Sequence, residues 1–135
     1  MPLSQEEVNK KLDDLQADFC KIFETKDPKQ IVQFYHPHAV MIHVGRLVKY
    51  GREEIKEIMN EWLNTPAVPV THPEKRFDAG DGEFLFDIGK MEVKFTNAQV
   101  FNSKYECIYK KEDGKYLLYH DKMEPLGDFL CEKKE

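Results

Sequence analysis

The chain has 135 residues, 41% of them apolar and 33% charged, the size and composition of one globular domain, residues 1–135, that buries a core without disulfides or metals. Its 20 Lys and Arg stand against 25 Asp and Glu, a formal charge of -5 with no clustered basic stripe, so nucleic acid is not expected as a partner. No window approaches the roughly 18 apolar residues of a membrane span, and the N-terminal MPLSQEEVNKKLDD has no long apolar core, so a soluble chain without an export signal is expected.

Ser4 and Glu7 have capping-box spacing, and Val8, Leu12, Leu15, Phe19, Ile22 and Phe23 then recur every three or four residues, which predicts an amphipathic helix. Asp27-Pro28 sets a capping carboxylate before a proline suited to a first helical position, and a short second helix follows until Pro37 intervenes. From Ala39 the pattern turns β-branched and alternating. AVMIHV, a turn at Gly45-Arg46 and LVKY predict a strand pair. After Gly51, REEIKEIMNEWL places Ile55, Ile58, Met59, Trp62 and Leu63 on one face of a third helix.

The second half breaks into strand-like stretches at about 70 to 79, 83 to 93, 104 to 110 and 115 to 123. The breaks fall at Gly80-Asp81-Gly82, Asn97 to Asn102 and Asp113-Gly114, the last being a strong hairpin signal. Helices followed by a meander predict an α+β domain whose curved sheet buries one face against the helices. Three cysteines at wide spacing, Cys20, Cys107 and Cys131, suit free thiols in a reducing compartment, so a cytoplasmic location is expected.

With FETKDPKQIVQFYHPHAV closing the first helical region, YGREEIKEIMNEW opening the third helix and EDGKYLLYHDKME forming the last hairpin, the chain resembles the nuclear transport factor 2-like superfamily. Within it, the SnoaL-like and ketosteroid isomerase-like small domains are the nearest likeness, over almost the whole length. The resemblance implies a cone-shaped fold, three N-terminal helices on a curved antiparallel or mixed sheet, with a pocket at the open end and pairing through the sheets as a homodimer. Such a fold hosts isomerases, cyclases, carriers and association modules, so function is argued from the site.

The same resemblance sets His43 where the isomerases carry a general base and Glu106 where they hold a protonated acid in the oxyanion hole. Read from the residues alone, His43 is equally a buried imidazole bonded to a backbone carbonyl, and Glu106 a surface partner of a cross-strand lysine. Phe19 stands where the isomerases have tyrosine, and a phenyl ring donates no hydrogen bond, so the constellation is incomplete. The expected pocket residues are Phe19, Tyr35, Met41, His43, Trp62, Glu106 and His120. Phe77, Phe84, Phe86 and Phe95 are candidates for a cavity lining or for core and dimer contacts. His36 and His38 are expected in a solvated turn, and no metal or cofactor is expected, because no ligand spacing or phosphate loop is present. The leading expectation is a dimeric domain that binds a small apolar molecule. An isomerase- or cyclase-like enzyme and a non-catalytic dimerisation module are the alternatives.

Overall fold

The computed structural model describes residues 3–63, 67–95 and 100–126, and at positions 62, 67 and 68 the backbone alone. The first helix, α1 (Gln5–Glu24), starts with both halves of the capping box. Ser4 Oγ accepts from the Glu7 amide at 3.1 Å, and Glu7 Oε1 accepts from the Ser4 amide at 2.9 Å. Asp27 caps the short α2 (Pro28–Ile31) by accepting from the Lys29 amide at 3.0 Å, and a 3₁₀ turn over Val32–Phe34 leads into the sheet.

Six strands follow around α3 (Gly51–Trp62): β1 (Tyr35–His43), β2 (Leu47–Tyr50), β3 (Ala67–Ala79), β4 (Phe84–Phe95), β5 (Val100–Glu112) and β6 (Lys115–Pro125). They form one curved, unclosed sheet in the order β2-β1-β6-β5-β4-β3. Every neighbouring pair is antiparallel except β1 and β6, which run parallel. The hairpin between β5 and β6 turns at Asp113 and Gly114, both at positive φ (51° and 80°), the conformation for which an Asp-Gly pair is suited.

The helices lie on one face of this sheet. α3 packs on β1 and against α2, while α1 lies over β3 and β4. Val8 and Leu12 of α1, Ile55 and Met59 of α3, Met41 of β1 and Leu85 of β4 meet in the core between them. Truncating a side chain as enclosed as Leu12 to alanine removes roughly 2–5 kcal/mol, so this layer dominates the stability of the cone.

Candidate functional site

Residues paired across strands share a face, so the register sorts the sheet into two sides. Met41 of β1 pairs with Asp121 of β6, Asp121 with Cys107 of β5, Cys107 with Asp87 of β4, and Asp87 with Arg76 of β3. This row faces the helices, because Met41 and Asp87 are buried and Met41 belongs to the core. The next row on the same face runs His43, Met123, Tyr105 and Gly89.

Two carboxylates on this inner face have different surroundings. Tyr35 Oη donates to Asp121 Oδ2 at 2.9 Å, and the Cys107 thiol approaches Asp121 Oδ1 at 3.9 Å. Burial raises the Asp121 carboxyl above its ordinary value, against the pull of the Tyr35 hydrogen bond. Asp87 accepts from Tyr105 Oη at 3.1 Å and from Arg76 Nε at 3.3 Å, and is ion-paired. Arg76 also reaches Asp13 of α1 at 2.9 Å, fastening the first helix to the sheet. The Cys107 thiol is pushed well up by burial and by the charges of Asp121 and Asp87, so it stays protonated and is a poor nucleophile.

Asp121 and Cys107 are deep enough for burial to dominate their titration, yet both keep part of their surface open to water. Both side chains face inward, and Cys107 packs against the edge of the hydrophobic core. Phe19 of α1, also half-buried, stands over Tyr35 with ring centroids 6.4 Å apart and lies 5.0 Å from Phe34.

His43 faces this side, is 8% exposed, and has its pKa lowered to about 4 by burial and then by the Arg46 charge, so it is neutral at pH 7. Phe19, Tyr35, Met41 and His43 therefore fall on the inner side, while the side chain of Trp62 lies outside the described residues. Two expectations are corrected. Glu106 pairs with Ile88 and Lys122 on the opposite face, with Lys122 Nζ at 4.0 Å, so it cannot share a substrate with His43. His120 pairs with Val40 and Ile108 and also points outward. A bulge between Ile108 and Tyr109 is the reason: it puts Leu118 and Asp121, three residues apart, on one face.

His36 and His38 lie within β1 rather than in a solvated turn. His36 Nδ1 accepts from the His38 amide at 3.0 Å, which assigns the ring proton to Nε2, the atom 3.0 Å from Glu112 Oε2. This is a clamp between β1 and the last hairpin. Among the described residues no group of three His, Cys, Asp or Glu side chains is arranged to hold a metal ion.

The outer face carries an apolar row across all six strands: Tyr50, Val40, His120, Ile108, Phe86 and Phe77. Phe77 and Phe86, expected as cavity lining or contact residues, stack here with centroids 4.6 Å apart. Phe84 and Phe86 line a groove with His38, Tyr119 and His120, in which His120 Nε2 is buried without a hydrogen-bond partner among the described residues. Val48, Tyr50 and Phe77 are exposed to 62%, 59% and 43%.

A curved sheet wrapped over a long first helix, with polar side chains on its inner wall, defines a small α+β cone. Solved structures share that architecture. A protein from Xanthomonas campestris described as a calcium/calmodulin-dependent protein kinase II association domain aligns with a TM-score of 0.77 at 19% identity, over 87% of this chain and 87% of that one. A ketosteroid isomerase-like protein from Erwinia carotovora atroseptica aligns at 0.67 and 14%, over 93% and 100%. A nuclear transport factor 2-like protein of unknown function from Shewanella oneidensis aligns at 0.72 and 11%, over 86% and 98%. The chain has the nuclear transport factor 2-like fold. No protein-family model matches the sequence, and no curated protein matches it.

Proposed function

We propose that this protein is a homodimeric, small-molecule-binding domain of the cytoplasm that holds its ligand in the hollow between the concave sheet face and the helices. The carrying observation is the pair Asp121 and Cys107, which face inward beside Met41 and Tyr35 and are only partly buried. A wall that is mostly apolar with a few convergent polar groups is the usual form of a small-ligand site. The outer row supports the dimer, since an apolar band bordered by the Lys122 and Glu106 pair can meet its own copy about a two-fold axis.

An isomerase- or cyclase-like reaction is the second reading. His43 and Asp121 lie on one face of adjacent strands, two residues out of register, a diagonal of roughly 8 Å. Against it, an imidazole with a pKa of about 4 is a feeble base at neutral pH, and Phe19 offers no hydrogen bond to a developing oxyanion. These two facts place binding ahead of catalysis. An association module built on the outer row alone is the third reading.

Isothermal titration with small aromatic and alicyclic molecules tests the leading proposal. Binding is expected in the wild type and is expected to disappear in Cys107→Phe, which fills the hollow from β5, with the circular dichroism unchanged. Binding that survives Cys107→Phe overturns the assignment to the hollow. Sedimentation at low micromolar concentration is expected to give a dimer, and a monomer would remove that half of the proposal.

A further inference from the structure

His120 stands near the middle of the outer row, with Val40 of β1 on one side and Ile108 of β5 on the other. Its ring lines a groove of about 320 Å³ walled by Tyr50, Phe84, Phe86 and Tyr119. The imidazole is half-buried, and its Nε2 is enclosed without a hydrogen-bond partner among the described residues. The charged groups around it are engaged elsewhere. Lys122 and Glu106, one row away, are paired at 4.0 Å, and Lys110 on the other side is held by Glu83 and Glu112. His38 of β1 and Tyr50 of β2 face the groove without a carboxylate, and β4 brings the phenyl rings of Phe84 and Phe86. His36, beyond His38, is bonded to Glu112. Asp121, the next residue of β6, attracts the charge of a protonated His120 but faces inward, so its pull is the same with or without a partner on the outer face.

The pattern of the face fits a second copy of this chain. The row meets itself about a two-fold axis lying along the β5–β6 seam, which sets each His120 over the partner's Ile108 and each Lys122 over the partner's Glu106. Apolar side chains then cover apolar ones, and opposite charges oppose each other on both sides of the axis. Resting on the reading of the outer row as a homodimer contact, we propose that His120 makes that contact proton-sensitive, so that acid drives the two copies apart. In the single chain the ring keeps part of its surface in water. The partner removes that water and offers an aliphatic side chain instead, and a buried cation without an acceptor is costly. The dimer therefore takes up fewer protons than two separate chains, and by linkage a falling pH favours the separate chains.

Sedimentation equilibrium of the full chain over a concentration series at pH 7.5 and pH 5.5 tests this, with circular dichroism reporting that the chain stays folded at both. The dimer Kd is expected to rise at least about tenfold on acidification, since two imidazoles per dimer pass through their ordinary titration near pH 6.5. His120→Leu is expected to dimerise equally at both pH values, and His38→Gln to respond as the wild type does. A wild-type Kd that does not move with pH, or a response that survives in His120→Leu, overturns the inference and leaves the dimer reading standing. A monomer at pH 7.5 at every concentration overturns both. NMR titration of the wild-type His120 ring decides the matter even if neither variant folds: half-protonation is expected at a lower pH in concentrated than in dilute samples, and a titration independent of concentration overturns the inference.

Discussion

Tyr35 and Asp121, 86 residues apart in the chain, are joined by a hydrogen bond of 2.9 Å at the seam where β1 and β6 run parallel. Tyr35→Phe keeps the ring and removes the donor. The expected cost is about 1–3 kcal/mol, because a buried acceptor loses its partner. The same change should raise the Asp121 carboxyl further, since the tyrosine bond holds it down. Urea unfolding and a carbon-13 titration of Asp121 read the two effects, and unchanged values in both would show that this bond carries no weight.

His43 and Asp121 impose opposite pH dependences on stability. For His43 the folded pKa lies below the unfolded one, so between about pH 6.5 and 4 the unfolded chain binds more protons and stability falls as pH falls. Over the whole window the effect is on the order of 3 kcal/mol. For Asp121 the folded pKa is raised, so stability falls as pH rises through its titration. His43→Leu is expected to flatten the acid limb and Asp121→Asn the other, read by urea unfolding at a series of pH values. A His43→Leu curve parallel to wild type from pH 7 to 4 would contradict the buried, neutral imidazole.

Gly89 packs where β3 bulges past Pro73. A methyl group there would clash with the His72 carbonyl oxygen and meet the Pro73 Cα at 2.8 Å. Both are backbone atoms on a paired strand, so neither can swing away. Gly89→Ala is expected to cost about 1–3 kcal/mol by overpacking, seen as a lowered Tm. An unchanged Tm would mean that the two strands separate there at little cost.

Phe77 is half-open to solvent yet stacks on Phe86. Phe77→Lys should barely alter folding of one chain, but it sets a charge in the apolar band. A dimer formed through that band should dissociate at least about tenfold more readily, since central aromatic anchors carry most interface energy. Sedimentation velocity across a concentration series reads it. A dimer indifferent to the substitution would have to use another surface.

Much of the architecture is written locally. Ser4 with Glu7 opens α1, Asp27-Pro28 opens α2, and Asp113-Gly114 turns the last hairpin, each because one or two side chains satisfy one or two backbone groups nearby. The alternation of Ala39, Met41 and His43 likewise identifies the buried side of β1. The polar row is not local. Asp87, Asp121 and Arg76 sit on strands whose two faces are both part apolar, so period-two counting cannot choose between them. On β6 the bulge at Tyr119 breaks the count altogether, which is how Asp121 escapes notice while His120 and Glu106 draw it. Where the register must be known before a face can be named, only the folded sheet supplies it.

The parallel seam also sets an order of events. β3 to β6 can zip up as successive hairpins, each closing a short loop, whereas β1 must wait for a partner made about 80 residues later. During synthesis the first helix and strand leave the ribosome long before β6 exists, with one hydrogen-bonding edge of β1 still unpaired. Closing that seam is therefore a late step, and a chain stopped anywhere before residue 115 has no sixth strand on which to complete it.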